Sequence, residues 1–272
     1  RLNTEMGHLL KIAIPAALAN GVVQINLLVG QIVASFFPGA VSWLYGADRL
    51  YQLPLGVVGI AVGIVLLPEL SRRLQANDDS GAKAAFCRAG EISFALTLPA
   101  AVALFVIPLP LVSALFEHGA TGRRDAEAIA MACAIYGLGL PAFILQKLLQ
   151  PLYFAREDTK RPFRYAVVAM VVNGALAVGL MPYLGWISAA VATSVSSWMM
   201  VALLSNGARR FGDVAKFDAP TKGRFVRISI AALGMGAVLW IGDFYLGPMM
   251  RTSLMRVIYG AGIVFAGMII YG

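Results

Sequence analysis

The feature that most constrains this chain is the length of its apolar runs: eight stretches of roughly 20 residues or more follow one another, separated by short polar bursts. A helix needs about 20 mostly apolar residues to cross the hydrocarbon core of a bilayer. In that solvent every backbone N–H and C=O has to be satisfied inside the segment or by a close neighbour. The two constraints together point to an all-α integral membrane protein. Spans are expected near 12–37, 42–69, 92–115, 127–152, 163–183, 186–207, 225–247 and 254–272. Composition agrees: 13% of the residues are charged and 59% hydrophobic, about half the charge that a water-soluble domain carries.

The connections between spans alternate in character. Arg72 to Arg88, Arg156 to Arg164 and Arg209 to Arg227 are rich in Lys and Arg, whereas Phe37–Ala40, Phe116–Glu127, Pro182–Trp186 and Gly247–Arg256 are shorter or less basic. Of the 22 Lys and Arg, seventeen fall on one side of the expected topology and five on the other. The basic side is expected to be cytoplasmic, which puts both ends of the chain in the cytoplasm. The net charge of +8 is therefore read as orientation. The basic residues form no stripe, so no nucleic-acid partner is expected.

Several chemistries find no support. Cys87 and Cys133 lie in different segments and suggest no disulfide framework. His8 and His118 are too few and too far apart for a metal site, and no Ser/His/Asp constellation or G-x-x-x-x-G-K-[ST] phosphate loop is present. The chain is not expected to be an enzyme, and it calls for no cofactor. It begins at Arg1, shows no short h-region with a cleavage site, and ends inside an apolar run. It reads as part of a longer protein.

Polar residues at membrane depth carry the functional signal. Arg49, next to Asp48, falls about 13 Å inside the second span if that helix starts near Ala40. Burying an arginine there costs at least ~2.5 kcal/mol unless it snorkels or faces water. Two readings compete. In the first, Arg49 is an interfacial residue neutralised by Asp48 within an aromatic belt formed by Trp43 and Tyr45. In the second it lines a water-filled cavity and grips an anion, a task suited to a planar guanidinium that donates two parallel hydrogen bonds to phosphate. The first span carries Asn20, Gln24, Asn26 and Gln31. Asn20, Gln24 and Gln31 share a face, either bonding between helices or lining the same lumen. Lys147, near a span end with Gln146 and Gln150, is explained by snorkelling. Pro15, Pro54, Pro99, Pro108, Pro110 and Pro141 are expected inside spans where neighbours satisfy the freed backbone. Gly59 and Gly63 form a G-x-x-x-G pair expected to permit close helix approach.

The run from Ser42 to Gly63, Ser-Trp-Leu-Tyr-Gly-Ala-Asp-Arg-Leu-Tyr-Gln-Leu-Pro-Leu-Gly-Val-Val-Gly-Ile-Ala-Val-Gly, continuing to Ser71, resembles the signature of the MurJ (MviN) family. Leu115-Phe116-Glu117-His118-Gly119, Gly139 to Phe143, and Gln146 to Thr159 agree with it. These are lipid II flippases of the MOP (multidrug/oligosaccharidyl-lipid/polysaccharide) superfamily, related in fold to MATE transporters. The resemblance covers essentially the whole chain and is most specific through residue 160. It implies fourteen helices: two six-helix lobes around a central cavity, then an extra pair. This chain would supply the C-lobe, 1–210, then a cytoplasmic linker and the two additional helices, 211–272. The N-terminal lobe of the same protein would be the missing partner. The implied substrate is lipid II or a related lipid-linked anion moved from the cytoplasmic to the periplasmic leaflet. Arg49 would be the cavity arginine, with Asp48, Gln52, Gln24 and Asn26 beside it, and the extra pair, near membrane lipids, would lie along the prenyl tail.

Two departures stand out. Gln52 occupies a position where some relatives carry a carboxylate, which weakens a proton role there. Some relatives hold sodium with carboxylate help. Here Asn173 and Thr193 are present, but Ala177, one turn beyond Asn173, supplies no ligand, so no metal site is expected. Any energetic coupling would come from the membrane potential or an ion gradient. Three alternatives stay open: an exporter of another lipid-linked oligosaccharide or small molecule, a membrane enzyme built around Glu117-His118, and a non-transporting interaction module.

Overall fold

A computed structural model describes residues 28–117 and 121–246, and among them all regular structure is helical. Residues 28–35 are helical and lead through a turn into α1 (Ala40–Ala61), which continues through a π-helical turn (Val62–Leu66) into α2 (Leu67–Gln75). There follow α3 (Asp79–Val106), α4 (Pro108–Phe116), α5 (Arg123–Phe154), α6 (Lys160–Leu184), α7 (Ser188–Ala208), a 3₁₀ segment (Arg209–Ala215) and α8 (Ala219–Leu246). Five stretches among the described residues are long and apolar enough to cross a membrane: Ala40–Gln75, Asp79–Val106, Arg123–Phe154, Lys160–Ala215 and Ala219–Tyr245. The fourth holds two of the expected spans. Gly185, at φ +59°, reverses the chain between α6 and α7. The first expected span falls largely on residues outside the described range, and the eighth, 254–272, wholly so.

Two expected boundaries need correction. The third span was expected at 92–115 as one helix, yet α3 starts at Asp79 and ends at Val106. Its 28 residues extend about 42 Å, so α3 passes well beyond the ~30 Å hydrocarbon layer. The charges at Lys83, Arg88 and Glu91 lie within this helix, not in a loop. The break before Pro108 has a local cause. Proline disfavours helical backbone in the residue before it, and Ile107 accordingly leaves the helix at φ −126°, ψ 47°. The chain then restarts as the short α4. The connection between α2 and α3 shrinks to Ala76–Asp78, and Arg224 and Arg227, expected in a connection, lie in α8.

The helices run up and down so that the basic segments meet at one end. There the Glu91 carboxylate accepts from Arg224 Nη1 at 2.6 and 2.7 Å, Asp158 pairs with Arg210, and Phe86 stacks on Phe217 at 4.9 Å between centroids. At the other end Trp43 meets Trp186 edge-on at 5.2 Å. α5 is the hub, packing against α1, α3, α4 and α7.

Lipid tails are as apolar as leucine, so these contacts rest on close approach and interhelical hydrogen bonds. Gly137 lies so near α3 that an added Cβ would come within 3.0 Å of the Ala101 carbonyl oxygen. Gly139 faces α7, where Ser194 donates to the Ile135 carbonyl at 2.9 Å. Gln146 on α5 donates to the Ser197 carbonyl at 3.1 Å, and the Tyr153 hydroxyl donates to the Leu204 carbonyl at 2.6 Å.

Candidate functional site

Arg49 is the tenth residue of α1, which begins at Ala40, and so lies about 13 Å along the helix. Tyr45, Arg49, Gln52 and Gly56 follow one another at intervals of four, three and four. They therefore share one stripe, and all four are exposed. The opposite stripe, Leu44, Ala47, Leu50, Tyr51 and Val58, is buried. Small residues bring that side close to α5: a Cβ on Gly46 would lie 3.3 Å from Ile129. Packing on one side of α1 thus fixes the outward aim of the other. Beside the polar stripe runs an exposed apolar one, Leu53, Val57, Ile60 and Ile64.

The Arg49 guanidinium sits 4.6 Å from the centroid of the Tyr45 ring and donates a hydrogen bond to the Tyr45 hydroxyl. Asp48 is engaged elsewhere. It accepts from Gln52 Nε2, and the Tyr51 hydroxyl turns toward it from the buried side. The two adjacent side chains share no hydrogen bond: Asp48 accepts from Gln52, and Arg49 donates to Tyr45. A guanidinium carries five N–H donors, and among the described residues Arg49 gives one hydrogen bond, to Tyr45. Tyr51 is in turn held by aromatic neighbours on α5, Tyr136 at 4.9 Å and Phe143, stacked, at 5.2 Å. Reading the sequence gave no sign of this backing, because residues separated by some ninety positions show no pattern until the helices pack.

Below Arg49 the backbone of α1 is irregular. Pro54 removes one helical N–H, and the π-turn Val62–Leu66 follows. Gly56, Gly59 and Gly63 each have open space where a Cβ would stand. The close helix approach expected at Gly59 and Gly63 is therefore not made by any described element. This half of the α1 face lacks side-chain bulk.

The remaining sequence candidates divide clearly. Gln24 and Asn26, like Asn20 and His118, lie outside the described residues. Gln31 is exposed. Asn173 and Ala177 are buried in α6, and the Thr193 hydroxyl donates to Ala189 of its own helix at 2.8 Å. Lys147 is exposed. No cluster of His, Cys, Asp and Glu suited to a metal ion occurs among the described residues.

One pairing escaped the sequence reading. Trp43, expected in an aromatic belt, donates its indole N–H to Asp125 at 2.8 Å, and Asp125 also accepts from Gly122 N–H at the start of α5 at 3.2 Å. The same indole covers Gly39, whose φ of +85° is the left-handed backbone that glycine adopts freely. Trp43 thereby locks the start of α1 to α5 at the end nearer Arg49.

Comparison with known proteins settles the family. The model of the lipid II flippase MurJ family matches residues 1–260. The chain belongs to the MurJ family. It is 43% identical to a probable lipid II flippase MurJ of Rhizobium tropici over 89% of this chain and 45% of that protein. It is 42% identical to the one of Rhizobium meliloti over 100% of this chain and 51% of the relative. Among solved structures, a lipid II flippase MurJ in an inward closed conformation superposes with a TM-score of 0.79 at 27% identity, over 98% of this chain and 53% of that one. A MATE structure matches with a TM-score of 0.58 at 18% identity, which shows the shared fold alone. The chain spans about half the length of the MurJ relatives it matches. Together the family and the apolar helices make it a multi-pass inner-membrane protein.

Proposed function

We propose that this chain is the C-terminal half of a lipid II flippase, and that Arg49 is the residue with which it grips the pyrophosphate. The observation that carries the reading is the exposed Arg49 guanidinium, held over Tyr45 while Asp48 is occupied by Gln52. An arginine kept off its adjacent carboxylate retains a free fork for two parallel hydrogen bonds to a phosphoryl group. The preceding half of the protein would close over the exposed face of α1 and make the polar stripe one wall of a hydrated cavity. The prenyl tail would stay in lipid while the disaccharide-pentapeptide and its pyrophosphate enter the cavity.

The two halves would then rock about the substrate and open it to each leaflet in turn, as paired repeats do in other transporters. The bare glycine stretch of α1, on the basic side of Arg49, leaves room for a bulky head group to pass. With the basic end cytoplasmic, outward movement of an anion is favoured by an inside-negative potential, by ~2.3 kcal/mol per charge per 100 mV. No cofactor enters this scheme.

The test is replacement of Arg49 in the full-length protein, in cells that depend on it for wall synthesis. Arg49→Ala is expected to abolish growth and lipid II translocation with the protein still in the membrane. Arg49→Lys, which keeps charge but loses the fork, is expected to fall between. Wild-type translocation by Arg49→Ala would remove Arg49 from the mechanism.

A further inference from the structure

At the basic end, α3 and α8 leave between them a groove of about 340 Å³ lined by Glu91, Ile92, Ala95, Arg224, Arg227 and Ile228. Its charge is uneven in an informative way. The single acid, Glu91, is consumed: Arg224 donates to both of its oxygens, at 2.6 and 2.7 Å, and the Thr221 hydroxyl adds a third bond at 2.8 Å. Arg227 is exposed and makes no hydrogen bond or ion pair among the described residues. Arg88, also exposed, precedes Ile92 by one turn on the same face of α3. The deeper lining, Ile92, Ala95 and Ile228, is apolar. The groove is also firmly built: Phe94 and Phe225 meet at 4.5 Å and Phe217 and Phe225 at 4.9 Å, while Gly236 admits Val102 deeper in the membrane.

Cations at head-group level above an apolar trough match an anionic phospholipid with its phosphate uppermost and its acyl chain below. Basic pockets between spanning helices on the cytoplasmic side hold such lipids. We infer that the α3–α8 groove is a binding site for an anionic glycerophospholipid, with Arg227 on the phosphate and the first acyl chain along Ile92, Ala95 and Ile228. The site is separate from the α1 face bearing Arg49, and the inference does not depend on the transported substrate. Bound there, the lipid would hold α8 against the lobe.

The experiment uses the full-length protein in nanodiscs of phosphatidylglycerol mixed with phosphatidylcholine, with retained lipid counted by native mass spectrometry after detergent release. The wild type is expected to retain phosphatidylglycerol in preference. Arg227→Gln is expected to reduce that retention about five-fold, the contribution of one basic residue near the surface. Arg227→Lys should restore most of it, and Arg72→Gln, an exposed arginine paired with Glu69, should leave it unchanged. Equal retention of the two lipids by the wild type, or no loss in Arg227→Gln, would overturn the site. So would displacement of the retained phosphatidylglycerol by equimolar lipid II, which would give the groove to the transported substrate. A photo-crosslinker at Ile228 that couples to residues 254–272 instead of to lipid would show the groove covered by protein, and would overturn it equally.

Discussion

At the residue scale, the decisive arrangement is which partner each charge of the Asp48-Arg49 pair takes. Adjacent residues on a helix point about 100° apart, so Asp48 reaches Gln52 and Tyr51 while Arg49 reaches Tyr45. Asp48 then acts as a standing negative charge beside the cation and weakens its hold on an anion. Asp48→Asn keeps an oxygen for Gln52 and removes that charge. It is expected to tighten binding of a prenyl-pyrophosphate substrate by ~1 kcal/mol, roughly five-fold, as titration of the purified full-length protein would register. Loss of binding in Asp48→Asn would mean that the carboxylate itself meets the substrate.

At the element scale, helix ends explain what the chain tolerates. Asp78 caps α3. It accepts the Gly81 N–H at 2.8 Å and the Ser80 hydroxyl at 2.9 Å, and pairs with Arg73 at 2.9 Å. The Gly81 N–H, the Ser80 hydroxyl and the Arg73 charge, in that order, hold its carboxyl below the ordinary 3.8. A carboxyl lowered in the folded state stabilises above its unfolded value and loses that contribution as pH falls through the folded one. The cap is therefore expected to contribute evenly from neutral pH down to about 4 and to fail only in stronger acid. Thermal unfolding of Asp78→Asn against the wild type should show a constant gap above that range that narrows below it. A gap that changes between pH 8 and 6 would point to another group.

The same elements show what could be read in advance. Apolar length announced the spans from 42–69 to 225–247, because the demand for twenty apolar residues is local. Arg49 was legible as a charge at membrane depth, but its alignment with Tyr45 and Gln52 was not, because Tyr45 reads as part of an aromatic belt with Trp43. The start of α3 at Asp79 was not, because a helix that leaves the membrane carries charges that read as a loop. Its break at Ile107 was written in Pro108, but prolines also occur within spans, as Pro99 and Pro141 do here. The Trp43–Asp125 bond and the Tyr51–Tyr136–Phe143 stack depend on which helices become neighbours, and no local rule supplies that.

At the scale of the whole molecule, the described helices pack around α5, and their exposed surface has two kinds of face. The flanks are apolar and suited to lipid. The α1 face carries a cation, an amide, a phenol and bare glycines, a combination that hydrocarbon would penalise. The charge asymmetry of the connections is the basis of the proposed orientation. Reporter fusions after Asp78 and after Asp218 are expected to be active in the cytoplasm, and those after Gly122 and after Gly185 in the periplasm. The reverse pattern would invert the direction of transport proposed here.

The claim on which the rest depends is that the α1 stripe is wet. It can be probed by single cysteines in an otherwise cysteine-free full-length protein, treated with a membrane-impermeant maleimide applied from both sides of the membrane. Labelling is expected at positions 45, 49, 52 and 56, blocked by lipid II at 45, 52 and 56 where Arg49 is kept, and absent at the apolar positions 53, 57 and 60 and the buried positions 47 and 58. Labelling confined to the apolar stripe, or none at 49 and 52, would mean that Arg49 faces no aqueous cavity and has no pyrophosphate to hold.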